Sequence, residues 1–367
     1  MKISIITVCL NSEQTIEQTI QSVMNQKDSD YEYIIIDGKS TDKTLEIIEK
    51  YRSKTLRVIS ENDSGIYDAM NKGIALASGD IIGIINSDDW YEPGVFEAIR
   101  KCFQKTDAEA IYGRMNLIYE NGKVGFLVPS DIEKIRYEME IPHPTVFIKK
   151  EIYKKYGGFQ LKYKIAADYD LMLRLYTKGV KFEYIDRVLA NFRMSGISVQ
   201  QEEVCGKETL MIAQQYLPYA SLGSRKYFKD IIAHRWKAYI FEKLVNHFPQ
   251  EFYDILNKKL GVGSYDDIAI FGAGKWGISV YNLLWQKNIT PLFIVDNSIK
   301  KQGKLKDGIQ ILGPETLRFF KGVLLIMVKE FSPEILLQVG KINSSELYCI
   351  AWEEIADEFA WGTNIYE

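Results

Sequence analysis

Asn86-Ser87-Asp88-Asp89 places two carboxylates side by side directly after an apolar run, Ile81-Ile82-Gly83-Ile84-Ile85, and just before Trp90. Adjacent carboxylates at a strand end can hold one hard divalent ion through oxygen. The same pair would also suit the N-terminus of a helix opening at Pro93, so the tetrad alone leaves a metal site and a helix cap equally open. Asp37 closes another apolar run in Ile34-Ile35-Ile36-Asp37-Gly38-Lys39-Ser40-Thr41-Asp42. There an aspartate can accept a hydrogen bond from a ligand while Gly38 lets the backbone come close; Ser40, Thr41 and Asp42 read as a turn with a helix cap. Asp168, in Ala166-Ala167-Asp168-Tyr169-Asp170, is either a helix cap or a proton acceptor. Asp170 points about 200° away from it on a helix and so supports the helix start or Arg174. His143 lies between Pro142 and Pro144 before an apolar run, and with 3 histidines in the chain no histidine metal cluster can be assembled. Arg193 could meet a phosphate as a planar cation, or sit on a solvated loop.

Something must hold these residues in place, and the hydrophobic pattern says what. Apolar runs at 3–10, 33–37, 56–60 and 81–86 alternate with helical patterns at 15–25, 41–51 and 66–77 and a fourth opening at Pro93. This β-α-β-α series predicts a largely parallel sheet covered on both faces, with ligands beyond the carboxyl ends of its strands. Asn11, Asp37, Asp63 and residues 86–89 follow those ends. From 108 to 198 the pattern loosens into short strands, with Asn121-Gly122 predicting a hairpin between 115–119 and 123–128. Residues 199–263 are helix-compatible and end in Gly261-Val262-Gly263-Ser264, which marks a boundary.

A second alternation begins at Asp266. Phe271-Gly272-Ala273-Gly274-Lys275-Trp276-Gly277 satisfies G-x-G-x-x-G after a predicted strand and before a helix, and Asp296 ends the next strand. Gly272, Gly274, Gly277 and Asp296 therefore predict a small Rossmann-like domain in which a nucleotide could bind, although the glycines also suit a tight turn. The fold class expected is α/β, divided into domains 1–198 and 265–367 joined by a helical segment 199–264.

The net charge of -3 argues against a general nucleic-acid binder, which needs a basic surface, and leaves room only for a local basic patch. Cys9, Cys102, Cys205 and Cys349 stand singly, so neither a disulfide framework nor a zinc site is expected, and reduced thiols point to the cytoplasm. The apolar start stops at Asn11-Ser12-Glu13 without a cleavage site and reads as a buried strand. Arg225-Lys226-Tyr227-Phe228-Lys229 and His234-Arg235-Trp236-Lys237 combine cations with aromatics. They would suit peripheral contact with the anionic inner face of a plasma membrane, or an ordinary solvated helix face.

Thr7-Val8-Cys9-Leu10-Asn11, then Asp37 to Thr44, then Asp63-Ser64-Gly65-Ile66-Tyr67-Asp68-Ala69-Met70-Asn71-Lys72-Gly73, then residues 86–89, resemble in order and spacing the family 2 glycosyltransferases. The resemblance covers roughly residues 1–200. It implies a GT-A fold, the nucleotide-diphospho-sugar transferase fold, and inversion at the anomeric centre. It also implies a nucleotide-sugar donor, UDP-linked, and a saccharide or lipid-linked acceptor in polysaccharide or cell-envelope glycan assembly. By that resemblance Thr7 and Asn11 flank the nucleotide, Asp37 faces the base and Asp63 lies beside the nucleotide. Asp88 would bind the donor and, with Asp89, a Mn²⁺ or Mg²⁺ ion. Asp168 falls on the position of the general base, with Ala167 where the family usually has Glu. His143 would stand near the junction of donor and acceptor. The family often has a second acidic residue where this chain has Gly38, and an aspartate where it has Asn86. The Gln-x-x-Arg-Trp motif of processive synthases is absent, so one transfer per acceptor is expected. Two other readings stand beside this one: an NAD-dependent sugar-nucleotide oxidoreductase or epimerase centred on the C-terminal domain, and a non-catalytic sugar-nucleotide binding module.

Overall fold

The first strand, Ile-Ser-Ile-Ile-Thr-Val-Cys, is buried at every position, which a strand acquires only when both faces of its sheet are covered. It is β1 (Ile3–Cys9), the first element of a βα series that continues with α1 (Ile16–Met24), β2 (Tyr31–Asp37), α2 (Thr44–Glu49), β3 (Leu56–Ser60), α3 (Ile66–Leu76), β4 (Ile81–Ile84), β5 (Trp90–Tyr91) and α4 (Val95–Lys105). The structure is a computed structural model and describes residues 1–27, 30–261, 267–306, 308–329, 332–343 and 347–363.

β3, β2, β1 and β4 are parallel neighbours. Their register puts Cys9 opposite Asp37 and Asp37 opposite Ser60, so the strands finish in one row and present their following loops along one edge. The looser half continues the same sheet through β6 (Ala110–Ile118), β7 (Val124–Leu127), β8 (Phe147–Lys149), α5 (Lys150–Tyr156), α6 (Ala167–Thr177) and β9 (Phe182–Arg193). β8 runs antiparallel to β4 and to β6, and β9 lies parallel to β6. The result is a mixed sheet in the order β3-β2-β1-β4-β8-β6-β9-β5, with β7 hairpinned onto β6. Gly122 turns that hairpin at a φ of 77°, a left-handed conformation that glycine adopts without strain.

Helices follow: α7 (Ile197–Gln200), α8 (Glu202–Tyr216), α9 (Leu222–His247) and α10 (Pro249–Leu260). Contacts divide the chain into two compact units, Met1–Ile232 and Ala233–Glu367. The division falls inside α9, so the helical segment 199–264 is shared between the units. The expected boundary at 264/265 lies outside the described residues.

The second unit holds β10 (Ile268–Phe271), α11 (Lys275–Gln286), β11 (Phe293–Val295), β12 (Leu305–Lys306), β13 (Ile309–Leu312), β14 (Gly322–Ile326), α12 (Ser332–Ile342), β15 (Leu347–Ala351) and α13 (Trp352–Thr363). Its strands order as β12-β13-β11-β10-β14-β15, parallel except for the β12–β13 pair. A core of buried side chains, Phe241, Leu244, Trp276 and Trp352 among them, fills one side of it. Among the described residues, no helix is long and apolar enough to cross a membrane.

Candidate functional site

The carboxyl ends of β1, β2 and β3 are knitted together by side chains that strand register alone brings near. Asn11, just beyond β1, sits at a φ of 50°, and its amide oxygen accepts the Thr41 N–H at 2.8 Å while its own N–H donates to Ser40 Oγ at 2.8 Å. Asp37 is fully buried. It accepts the Ser60 hydroxyl at 2.6 Å and the Ser40 N–H at 3.2 Å, and presses on Cys9, where burial followed by the Asp37 charge pushes the thiol pKa far up. Asp63 accepts the Gly65 N–H at 2.9 Å in the turn that starts α3. A Cβ at position 38 would stand 2.7 Å from Asp63 Oδ2, so the Asp63 carboxylate occupies the space that the glycine leaves. Thr7 is turned inward, fully buried, with its oxygen accepting the Tyr33 hydroxyl at 3.0 Å.

Beyond β4 the tetrad separates its two carboxylates. Asp89 is wholly buried; its Oδ1 accepts the Arg193 N–H at 3.0 Å at the end of β9. Burial, and after it the charge of Asp88, holds the Asp89 pKa well above the usual carboxylate range. Asp88 is the more open of the two, and burial also raises its pKa, opposed by hydrogen bonding at the backbone and by the Arg193 charge. The segment after β9 lies against it: a Cβ on Gly196 would stand 3.1 Å from Asp88 Oδ2. Arg193 lays its guanidinium over the Trp90 ring, 4.8 Å from the centroid, and donates to Gln18. The loop is tied to the β1 end by Ser12 Oγ and Ser87 Oγ at 2.8 Å, and to α1 by Thr19 Oγ1, which donates to the Asp89 carbonyl at 2.7 Å. Asn86 Oδ1 and Asp89 Oδ2 are buried oxygens without a hydrogen-bond partner, a condition that buried polar atoms rarely keep. Among the described residues, no three His, Cys, Asp or Glu side chains gather around one point.

Asp168 stands in the first turn of α6. Its Oδ1 accepts the Tyr169 N–H at 2.9 Å and lies 3.3 Å from the Tyr67 hydroxyl, whose one proton is shared with the closer Ile165 carbonyl, while no hydrogen bond reaches Oδ2 from the described residues. Burial raises its pKa, offset by His143, the Tyr169 amide and Tyr67. Burial lowers the His143 pKa, and Asp168 pulls it back. His143 packs edge-on against Phe159 at 5.6 Å, and Phe159 stacks on Tyr67 at 5.4 Å. Because Tyr67 belongs to the first turn of α3, directly after Asp63, one short helix start connects the Asp63 corner with the Asp168 corner. Asp170 is fully buried between Arg174 Nε at 3.3 Å and the Tyr216 hydroxyl at 3.1 Å, an anchor for α6.

Glu208, which sequence reasoning passed over, holds this corner together. From α8 its carboxylate accepts the N–H groups of Lys164, Ile165 and Ala166 at 2.8, 2.9 and 2.9 Å. Those are the residues leading into α6, whose N-cap residue makes no side-chain cap, so a distant helix supplies the cap. No local pattern announces it, since the partners are backbone atoms more than forty residues away.

In the second unit the glycines have packing duties. Gly272 adopts a φ of 110°, and a Cβ on Gly277 would stand 1.7 Å from the Gly272 carbonyl. Gly274 alone among the three faces open space. Asp296 is nearly buried, with Oδ2 accepting the Ala273 N–H at 2.8 Å and the Lys301 ammonium at 2.9 Å, and Oδ1 accepting the Ser298 N–H at 2.8 Å. Burial opposes its ionisation, but the Ser298 amide, Lys301 and the Ala273 amide together hold its pKa below the ordinary value.

Residues 4–169 match the family model described as glycosyl transferase family 2, and residues 264–349 match one described as C2185-like, N-terminal. A PGL/p-HBAD biosynthesis glycosyltransferase of Mycobacterium bovis is 24% identical over 250 residues, 66% of this chain and 93% of the relative. An uncharacterized glycosyltransferase of Mycobacterium tuberculosis is 30% identical over 207 residues, covering 54% of this chain and 78% of the relative. The chondroitin synthase of Pasteurella multocida is 28% identical over 263 residues, 69% of this chain but 27% of that protein. Among solved structures, S. aureus TarS 1-349 in complex with UDP-GlcNAc matches with a TM-score of 0.55 at 19% identity, over 72% of this chain and 82% of TarS 1-349.

Proposed function

The chain belongs to glycosyl transferase family 2 and has its GT-A fold, and we propose that this nucleotide-sugar-dependent transferase moves one sugar per encounter from a UDP-linked donor to a saccharide or lipid-linked acceptor, with inversion. The observation that carries the inverting reading is the state of Asp168. One carboxylate oxygen is held by the Tyr169 amide, with the Tyr67 hydroxyl beside it, and the other is uncommitted, which suits a base that takes the proton of an attacking hydroxyl at Oδ2. The named relatives and the UDP-GlcNAc complex of TarS support the donor class.

Asn11, Asp37 and Asp63 would cradle the nucleotide, with Thr7 acting from beneath through Tyr33. His143 would help to set the ionisation of Asp168. Asp88, backed by the unpartnered oxygens of Asn86 and Asp89, would hold a Mn²⁺ or Mg²⁺ ion. Two carboxylates and an amide oxygen fit a hard cation that takes its remaining ligands from substrate phosphates, as Mg²⁺ commonly does. Such an ion would neutralise the diphosphate as it leaves. Arg193, fixed over Trp90 beside these carboxylates, would add a second positive charge there.

For the C-terminal unit a Rossmann-like identity is supported by its parallel order and glycine turn. With the Asp296 carboxylate engaged by Ala273, Ser298 and Lys301, a ribose has no free acid to meet, which favours a regulatory or scaffold role over redox chemistry.

The test is a thermal-shift screen of the full chain with UDP-sugars, with and without Mn²⁺, on wild type, Asp88→Ala and Asp168→Asn. A ligand that binds only the folded state raises apparent stability by mass action. Wild type should gain stability from donor plus metal, Asp88→Ala should lose the metal-dependent part, and Asp168→Asn should bind normally yet fail to transfer. Full metal-dependent transfer by Asp88→Ala would overturn the metal assignment.

A further inference from the structure

α8 and α9 are joined by a tight turn of 3₁₀ character over Leu217–Tyr219, and this turn with the start of α9, the α8–α9 tip, carries apolar side chains where solvated ones would be expected. Leu222 is 85% exposed, Tyr227 61% and Tyr219 59%. Each is large enough to matter, and together they fall within nine consecutive residues. The tip is held in shape: the Arg225 guanidinium donates to the Pro218 carbonyl at 2.7 Å and the Ala220 carbonyl at 3.2 Å. Phe228 is buried beneath, 5.6 Å from the Arg136 guanidinium. These exposed groups are therefore displayed by an ordered turn, not by a frayed one.

The charge around them is predominantly positive. Residues 209–229 contain no Asp or Glu, although the whole chain has a net charge of -3, and the acidic residues that bound this stretch are Glu208, engaged with the backbone before α6, and the exposed Asp230. Lys226 and Lys229 are exposed and make no ion pair among the described residues. They stand four and seven residues after Leu222, which places all three on one face of α9. Lys178 adds a further cation 5.8 Å from the Tyr219 ring. An aliphatic residue at the apex, tyrosines beside it and unpaired lysines around it match an anionic bilayer interface. Tyrosine rests there at headgroup depth, and lysine is drawn to acidic lipids.

We propose that the α8–α9 tip, through Tyr219, Leu222, Tyr227, Lys226 and Lys229, docks the protein on an anionic phospholipid surface. The contact is shallow and reversible, because the patch is small and no hydrophobic segment continues from it. This surface is independent of the transferase reading, since none of its residues belongs to the donor or base corners.

The experiment is co-sedimentation of the full-length chain with vesicles of phosphatidylcholine alone and of phosphatidylcholine mixed with phosphatidylglycerol, at low and high salt. Wild type should sediment with the mixed vesicles, stay in solution with the neutral ones and be released by salt. Lys226→Glu with Lys229→Glu should weaken binding roughly thirtyfold or more, and Leu222→Glu should abolish it. Both variants should keep wild-type circular dichroism and donor hydrolysis. Equal sedimentation with neutral vesicles, no loss in either variant, or a solution dimer that Leu222→Glu dissociates would overturn the proposal, the last by showing that a second copy covers the tip. A chain that binds lipid but hydrolyses no nucleotide sugar would leave this inference standing and sink the transferase reading instead.

Discussion

Replacing Glu32 with Gln should destabilise the first unit by an amount that depends on pH in a specific way. Glu32, at the start of β2, receives hydrogen bonds from the Ser4 hydroxyl, the Ser78 amide and hydroxyl, the Gly79 amide at 3.2 Å and the Lys2 ammonium at 3.0 Å. Burial opposes its ionisation, but these donors outweigh burial and bring its pKa from 4.5 to about 2. That difference would be worth roughly 3.4 kcal/mol at about 1.36 kcal/mol per pH unit. The carboxylate is partly open to water, so solvent screening reduces the expectation to about 1.5–2 kcal/mol. A carboxylate that is more acidic in the fold than in the open chain stabilises fully above its unfolded value near 4.5, and the stabilisation is lost as pH falls toward about 2. The difference between wild type and Glu32→Gln should therefore be largest near neutral pH and fall to under half of that near pH 3, by roughly the same linkage. Urea titrations read by amide hydrogen exchange in β1 and β2 isolate the first unit. Glu32 sits at the opposite end of the strands from the candidate site, so kcat at neutral pH should not change. A penalty independent of pH would refute the reasoning, because it would mean that the Glu32 charge contributes nothing.

Asp168→Asn should lower kcat by roughly 10²–10⁴ with little change in donor KM. A base must be ionised to act, and burial raises the Asp168 pKa above 3.8, so the acid limb of kcat/KM should lie above that value, with activity full on its alkaline side. Tyr67→Phe removes the hydroxyl shared between the Ile165 carbonyl and the carboxylate and should move that limb modestly to higher pH, whereas Asp168→Asn should abolish it; a limb that persists in Asp168→Asn would mean that another group titrates. Glu208→Ala, by leaving three N–H groups without their acceptor, should cost about 1–3 kcal/mol in urea unfolding and lower kcat without raising donor KM, whereas Glu208→Gln should recover part of both. Gly277→Ala would drive a methyl into the Gly272 carbonyl, 1.7 Å away. Protection of β10 and α11 from hydrogen exchange should fall sharply, while protection in β1 should not.

The strands β1, β2 and β4 were legible because a parallel strand covered on both faces is largely apolar, and β3, an edge strand of Leu-Arg-Val-Ile-Ser that is only partly buried, was legible as a short apolar run between amphipathic ones. The residues after those strands were legible for the same reason. What the sequence could not convey was where each side chain turns. Asp88 and Asp89 are neighbours of one type, yet the latter is drawn inside by the Arg193 amide, a partner on a strand that the loosened pattern of 108–198 did not define. Thr7 ends in the core because alternation within β1 points it at Tyr33. The motif in the second unit was visible as glycines and an acid, but only their surroundings show that Gly277 packs and that Asp296 clasps the turn. Glu208 left no trace at all, since its partners are main-chain atoms that every residue possesses.

The vacancy at position 38, filled by the oxygen of Asp63 from the neighbouring loop, has a genetic consequence. Positions 38 and 63 are coupled: a side chain at the first must turn the Asp63 carboxylate aside, and an acidic one would also repel it. In related chains that carry an acid after the first aspartate, the residue at the partner position should differ in size or rotamer. Here the two substitutions should be epistatic, the double change milder than the sum of the singles. A corner that looks depleted of one carboxylate is thus one in which two loops share a single place for it.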